Sequence, residues 1–125
     1  MSASFRGPFT KEEQLKRGAK RKPRIVATRK QWAKIRAAKL EGMACAIVPC
    51  GLEAQELHHI VSRGQLGDDV ADNCIGVCRR HHALITEREP GTLALLAECL
   101  TDAEEAYAAG KVGPGWRSRL FGIDA

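Results

Sequence analysis

The 125-residue chain is poor in aromatic residues and has no long apolar run. Phenylalanine, tryptophan and tyrosine together make up only 5% of it, so its core has to come mainly from aliphatic side chains. A small aliphatic core that must hold a precise site often needs a metal ion as an additional cross-link. Because no segment resembles a secretory signal or a membrane-spanning helix, the sequence predicts a cytoplasmic protein without a membrane partner.

The five cysteines are an odd number, which argues against a fully paired disulfide framework. Four of them, together with all four histidines, lie between Cys45 and His82. In a reducing compartment, closely spaced cysteines and histidines are more often metal ligands than disulfide partners. This segment therefore predicts metal chemistry.

Positive charge is concentrated in the first third of the chain. Residues 1–42 contain 13 lysines and arginines against 3 acidic residues, whereas residues 43–125 contain 7 against 12. A basic arm before a mildly acidic body predicts a polyanionic partner, and nucleic acid fits better than a membrane because the arm has no strongly apolar face. We divide the chain into a basic, flexible arm at residues 1–27 and a single domain at residues 28–125.

The basic run in this arm has two interpretations. A charged run around a proline is ordinarily a solvated linker, but it can also contact the phosphates of a nucleic acid. The metal chemistry favours the second interpretation. The predicted nucleic-acid contacts in the run are Lys20, Arg21, Lys22 and Arg24.

Capping patterns predict helices before the metal-binding segment. Thr28 followed by Gln31 predicts a helix over residues 29–41, with Trp32 as an anchor in the core. A similar pattern at Thr10–Glu13 predicts a short helix in the arm.

Two further helices are predicted in a C-terminal extension, residues 92–125. Thr92 is expected to cap the first of them, whose leucines recur at helical spacing. Thr101 and Glu104 form a capping box for the second helix, which is expected to end near Gly110.

Two pairs of residues have the spacing of metal ligands. Cys45 and Cys50 are separated by four residues, and Cys78 and His81 by two. Both spacings let a pair of side chains hold one tetrahedral ion, so together they predict a structural zinc site of the Cys3His type. The fourth ligand is either His81 or the adjacent His82.

The alternative is that the cysteines are small buried apolar residues. This alternative fits Cys74 and Cys99, whereas the spacing favours ligation for the other three. One zinc ion uses one histidine at most, which leaves three histidines over. Because neighbouring residues of a β-strand point to opposite faces, His58 and His59 are expected to have different roles.

The surplus histidines belong to a set of motifs that resembles the HNH endonuclease family, and more narrowly its small, zinc-containing bacteriophage members. The motifs occur in the family's order within residues 43–86, so the arm and the C-terminal extension lie outside the resemblance. The four-residue spacing of the first cysteine pair and a histidine in place of a fourth cysteine depart from the commoner pattern. The matching segments are Glu56-Leu-His-His-Ile-Val-Ser-Arg-Gly64, Gly64-Gln-Leu-Gly-Asp-Asp69, Asp72-Asn73 and Cys78-Arg-Arg-His-His82.

The resemblance implies an α+β fold with a ββα-metal core (the HNH or His-Me finger), a zinc knuckle, and flanking N-terminal and C-terminal helices. His59 would be the general base that activates water, and Asn73 would brace the loop that holds this base. His58 and His82 would hold a catalytic divalent ion such as Mg²⁺, Mn²⁺ or Ni²⁺, so His59, Asn73 and His82 form the catalytic set. The structural zinc would be held by Cys45, Cys50, Cys78 and His81.

These roles agree with the chemistry of phosphodiester hydrolysis. A neutral imidazole is a suitable base near neutral pH if its other ring nitrogen is held in place, and a loop carbonyl braced by Asn73 could hold it. A divalent ion with two protein ligands keeps positions open for a phosphate oxygen and the leaving oxygen. Arg63, Arg79 and Arg80 flank the histidines and are predicted to contact phosphates. The neighbouring pair, Asp68 and Asp69, is assigned to loop formation.

The predicted function is a metal-dependent DNA endonuclease that nicks or cleaves phosphodiester bonds with little sequence readout of its own. The alternative is a non-catalytic, zinc-stapled DNA-binding module in which the surplus histidines are structural. The family further implies a partner in phage packaging or recombination and, for a phage protein, the host cytoplasm as its location. The oligomeric state is left open by the sequence.

Overall fold

The computed structural model describes residues 23–48 and 50–123, so the pattern at Thr10–Glu13 lies outside the described residues. The described part is α+β, with five α-helices and one two-stranded antiparallel sheet. None of the described helices is long and apolar enough to cross a membrane. In chain order the elements are α1 (Arg29–Lys39), β1 (Glu56–His59), β2 (Cys74–Val77), α2 (Arg79–Thr86), α3 (Pro90–Glu98), α4 (Asp102–Val112) and α5 (Trp116–Phe121).

The two strands place the chemically interesting residues at the centre of the fold. In the antiparallel register Glu56 lies opposite Val77, and His59 lies opposite Cys74. All of β2 is buried, and α1 covers it so closely that a Cβ atom on Gly76 would lie 2.2 Å from the carbonyl oxygen of Lys39. The end of β2 leads through a single residue into α2.

The capping box that begins α1 is confirmed. The Thr28 hydroxyl accepts a hydrogen bond from the Gln31 N–H, and the Gln31 side chain accepts one from the Thr28 N–H. The helix ends at Lys39, two residues earlier than predicted. The prediction that Trp32 anchors the core is wrong, since this ring is only half-buried and packs edge-on against His59 rather than among the core side chains.

Two details of the predicted C-terminal extension are corrected. The helix α3 is capped by Glu89 rather than Thr92, because the Glu89 carboxylate accepts hydrogen bonds from the N–H groups of Gly91 and Thr92. A proline at the first helical position has no N–H that needs a partner, which favours this earlier start. The capping box of α4 is confirmed, but α4 continues past Gly110 to Val112.

The core lies between the sheet and the three C-terminal helices, α3, α4 and α5. It is almost entirely aliphatic, as the composition predicts. Among the buried core residues that the structure describes, Phe121 is the only aromatic one. The buried members are Cys45, Ile47, Ile60, Val61, Ile75, Val77, Cys78, Ile85, Leu93, Leu96, Ala97, Ala108, Leu120 and Phe121.

The loop that joins the two strands is held by one buried amide. Asn73 is fully buried, and its Oδ1 atom accepts a hydrogen bond of 2.8 Å from the Val61 N–H. Its Nδ2 group donates to the carbonyl oxygens of Val61 and Asp68, at 3.0 and 2.9 Å. One side chain therefore ties together both ends of the loop that follows β1.

The segment just before α1 lies against the same loop. The Arg24 guanidinium donates to the Gly67 carbonyl and to the Asp69 carboxylate, and the N–H of Ala27 donates to Asp69 as well. The N–H of Ile25 donates to the Asp68 carboxylate at 2.7 Å. Three residues at the end of the predicted arm, Arg24, Ile25 and Ala27, therefore supply donors to two buried carboxylates.

Gly67 gives a direct test of how closely this loop is packed. A Cβ atom on Gly67 would lie 1.7 Å from the carbonyl oxygen of Val61, so Gly67→Ala has to displace backbone. We expect the variant to lose at least about 2 kcal/mol of unfolding free energy in urea titrations. Gly64→Ala is the matched control, because its nearest new contact is the Ser62 hydroxyl at 3.9 Å. Equal stability of the two variants would contradict the packing described for the loop.

Candidate metal centre and histidine cluster

Four side chains converge on one point beside the sheet. Cys45, Cys50, Cys78 and His81 each offer one ligand atom, and these four atoms all lie within 4.8 Å of one another. The Nδ1 atom of His81 lies 3.5 Å from the Cys45 sulfur and 3.4 Å from the Cys78 sulfur. The sulfurs of Cys50 and Cys78 are 3.8 Å apart.

These separations match a tetrahedral ion. Two sulfurs that are each about 2.3 Å from one tetrahedral zinc lie about 3.8 Å apart, and a sulfur and an imidazole nitrogen lie about 3.5 Å apart. Three of the four side chains are buried, and Cys50 is partly exposed. The cluster is thus positioned to hold a metal ion, and its distances are compatible with structural zinc.

Local structure explains why these residues meet. Cys78 is the N-cap of α2, where its sulfur accepts a hydrogen bond of 3.4 Å from the N–H of His81. Burial alone would raise the pKa of the Cys78 thiol, but that bond and the hydrogen bonds with Cys50 and Cys45 lower it below its ordinary value. The first turn of α2 brings His81 back over Cys78, while a bridge between Ala44 and Glu53 closes the turn that carries Cys45.

The two remaining cysteines lie outside this cluster. Cys74 is completely buried in β2, and burial raises the pKa of its thiol to about 11. Cys99 ends α3, and its sulfur accepts a long hydrogen bond from the N–H of Val48. Among the described residues both fit the prediction that they are not ligands.

The adjacent histidines of α2 point to different neighbours. Consecutive residues of an α-helix are rotated by about 100°, so His81 and His82 cannot face one target. His81 joins the cysteines, whereas the His82 ring lies edge-on to His58 with ring centroids 5.5 Å apart. The ambiguity between the two as the fourth member of the cluster is thereby resolved in favour of His81.

A carboxylate that was not predicted as a functional residue holds His82. The Nδ1 atom of His82 lies 2.7 Å from Oε1 of Glu56, which leaves its Nε2 atom available. An imidazole held in this way by a carboxylate is the usual arrangement of a metal-binding histidine. Glu56 is two residues before His58 on β1, so strand periodicity predicts that both side chains lie on one face, but not that this face meets His82.

His58 is largely shielded from solvent and has a strongly shifted pKa. Burial lowers the pKa of His58 to about 4, and the nearby charges of His82, His59 and Arg88 act in the same direction. His58 is therefore neutral at cellular pH, with a lone pair available on its ring.

His59 belongs to a separate set of contacts. Its Nε2 atom lies 2.9 Å from Oδ1 of Asp69, a side chain that is only 2% exposed. The prediction of a backbone carbonyl as this partner is wrong, because a buried carboxylate takes its place. Asp69 is ten residues away in the sequence, and no local spacing signals the pairing.

Asp69 is itself held in the ionised form. Burial raises its pKa, but the hydrogen bonds from the Ala27 N–H, from His59 and from Arg24 outweigh this effect and lower the pKa to about 2. An ionised carboxylate can only accept hydrogen bonds, so His59 in its neutral form has to present Nε2–H to it. The lone pair of the His59 ring is then on Nδ1.

The predicted arginines divide by what they contact. Arg24 contacts Gly67 and Asp69 within the protein, and its assignment as a nucleic-acid contact stays a prediction. Arg63 is 58% exposed and lies over the Trp32 ring, and its Nε atom is 3.5 Å from Asp69. Arg79 and Arg80 are exposed on α2, whereas Lys20, Arg21 and Lys22 lie outside the described residues.

Two clefts meet at the histidines. A cavity of about 790 Å³ opens between α1 and β1, with Trp32, Arg36 and Arg63 on its wall. A second cavity of about 300 Å³ opens toward α5. His58, His59 and Ser62 line both.

Comparison of the chain with protein-family models, with curated proteins and with solved structures finds no match in any of the three.

The metal centre can be tested by removing one buried ligand. Cys78→Ser is expected to lose the bound metal and the cooperative thermal transition, because metal binding and folding are coupled in small sites of this kind. Metal content per chain and circular dichroism melting would measure the two effects. Cys99→Ser is the control and should keep both. A Cys78→Ser protein that retains its metal and melts like the wild type would show that the cluster is not a ligand set.

The Asp69 contact predicts the tautomer of His59. In wild type the neutral ring is expected to be the Nε2–H form, which long-range ¹H–¹⁵N spectra at about pH 8 distinguish from the Nδ1–H form. Asp69→Asn should release this preference, because an amide can either donate or accept. Asp68→Asn is the control, since that carboxylate binds Tyr107 and Lys111 instead. An Nδ1–H form in wild type would rule out the contact in solution.

Proposed function

We propose that the chain is a metal-dependent DNA endonuclease of the HNH type, with β1, β2 and α2 as its ββα-metal core. One observation carries the proposal. The Cys3His cluster uses a single histidine, and two of the other three, His58 and His59, line both clefts, with the His82 ring against His58. Three neighbouring histidines, two of them with carboxylate partners, suit acid–base and metal chemistry on a phosphodiester.

His59 is the proposed general base. With Nε2–H directed to Asp69, its Nδ1 atom is the one that takes a proton from the attacking water. The buried Asp69 carboxylate fixes the orientation of the ring and stabilises the imidazolium that forms. Asn73 supports this arrangement indirectly, because it holds the backbone of the loop that carries Asp68 and Asp69.

His58 and His82 are the proposed ligands of a catalytic divalent ion such as Mg²⁺, Mn²⁺ or Ni²⁺. The residues fit this group, since His58 is neutral and the Nδ1 atom of His82 is occupied by Glu56, which leaves Nε2 for a ligand bond. Such an ion, when bound, would stabilise negative charge on the phosphate and on the leaving oxygen. Arg63 is placed to hold the phosphate beside His59.

Zinc is the proposed occupant of the Cys3His cluster. Three thiolates and one imidazole are the ligand set that zinc prefers in closed structural sites. A phage packaging or recombination partner and a location in the host cytoplasm remain predictions from the sequence.

The second candidate is a zinc-stapled DNA-binding module without catalysis. The hydrogen bonds His59–Asp69 and His82–Glu56 favour it, because structural histidines are also satisfied by carboxylates. Metal titration separates the candidates. The endonuclease should bind a second, exchangeable divalent ion with His58 and His82, and the module should bind zinc alone.

The endonuclease is tested by relaxation of supercoiled plasmid with Mg²⁺, Mn²⁺ or Ni²⁺. His59→Ala is expected to lower the nicking rate by about 10²- to 10⁴-fold, the usual contribution of a general base. Asp72→Asn, an exposed change next to the loop-bracing residue, is the control and should nick at the wild-type rate. Both variants have to keep the zinc and the circular dichroism spectrum of wild type. A folded His59→Ala protein that nicks as fast as wild type would refute the assignment of the base.

A further inference from the structure

The second cleft is lined partly by residues that the HNH resemblance does not include. It lies between the end of α2 and α5, and His58 and His59 belong to its lining. Its described lining includes two arginines, Arg88 and Arg119, and no aspartate or glutamate. A cleft with only positive charged groups in its wall is suited to an anion.

Arg88 differs from an ordinary surface arginine in its backbone conformation and in the hydrogen bond that its side chain forms. Its backbone has φ of 61°, a left-handed conformation that costs a non-glycine residue about 1 kcal/mol. Its guanidinium donates a hydrogen bond of 3.0 Å to the carbonyl oxygen of Leu120, which fixes the side chain across the cleft. Glycine is the usual residue at such a helix end, so an arginine there points to a use for its side chain.

Arg119 complements Arg88 from the other wall. It is exposed on α5, and among the described residues it forms no ion pair, whereas Arg117 on the same helix is paired with Glu105. Within the part of the chain that the structure describes, this guanidinium keeps its donors for phosphate oxygens.

The two clefts together suit an extended polyanion better than a single small anion. Arg36 and Arg63 line the first cleft together with Glu56, whose carboxylate contacts His82. Arg88 and Arg119 line the second cleft, and His58 and His59 line both. A strand that passes the histidines would therefore meet a pair of arginines on each side.

We propose that the cleft between α2 and α5 is a phosphate-binding subsite for a DNA strand, with Arg88 and Arg119 contacting the backbone beyond the histidines. The subsite deepens the proposed endonuclease function and rests on it for the identity of the ligand. It assigns a binding role to the C-terminal helices.

The test is DNA binding by the full-length, zinc-loaded chain without added divalent ion, measured by fluorescence anisotropy over a range of salt concentrations. Arg119→Gln is expected to weaken binding about 3- to 10-fold at about 0.1 M salt and to reduce the slope of log K against log salt by about one. Arg117→Gln removes the same charge from the same helix outside both cavities, and should change neither quantity by more than about twofold.

Arg88→Gly is the second variant, because glycine readily adopts the left-handed backbone conformation of this position. The variant is expected to keep a melting temperature within about 3 °C of wild type. It should also reduce both affinity and salt slope. Unchanged binding by both cleft variants, or an equal loss in Arg117→Gln, would overturn the subsite. Binding is measured without catalysis, so the two proposals can fail separately. Weakened binding by the cleft variants supports the subsite whether or not wild type nicks plasmid. A wild-type chain that never nicks plasmid would refute only the endonuclease.

Discussion

The position of Cys78 sets the geometry on which both centres depend. This residue ends β2, caps α2 and contributes a sulfur to the Cys3His cluster. Once it is fixed, the rotation of the helix directs His81 to the cysteines and His82 to β1. In a chain with so few aromatic residues, a metal held at this junction would join the sheet to α2 more firmly than aliphatic packing alone.

Buried carboxylates determine the other half of the site. Asp68 and Asp69 are almost fully buried, and each needs several donors to stay ionised. Asp68 receives them from Tyr107 and Lys111 of α4, while Asp69 receives them from Arg24, from the N–H of Ala27 and from His59. The segment before α1 and the helix α4 both bind this loop, because they supply the donors that its two buried, ionised carboxylates need.

The sequence was a good guide wherever a contact is local. The capping boxes at Thr28 and Thr101 and the pairing of Cys78 with His81 join residues three positions apart, and such spacing is visible in the sequence. The pair Cys45 and Cys50 is recognisable as well, because ligands of one ion are commonly close together in the chain.

Contacts between distant residues could not be predicted in this way. His82 and Glu56 are separated by 26 positions, and Arg24 and Asp69 by 45, so their pairing depends on the completed fold. The prediction for Trp32 fails for the same reason. A large apolar residue at helical spacing is normally buried in the core, but this ring packs against His59 and Arg63, which are distant in the sequence. The sequence predicts a loop carbonyl as the partner of His59, because no local spacing marks Asp69 for that contact.

The contact between Arg24 and Asp69 links the basic part of the chain to the proposed base. Arg24 follows the run Lys20-Arg-Lys22 after a single proline, and its guanidinium shares the Asp69 carboxylate with His59. A charge neutralised by Arg24 attracts a protonated His59 less strongly than a free carboxylate would. The orientation of the ring is retained, because the hydrogen bond to Oδ1 persists. Asp69 therefore acts mainly by positioning His59, and the segment before α1 is part of the structure that makes this positioning possible.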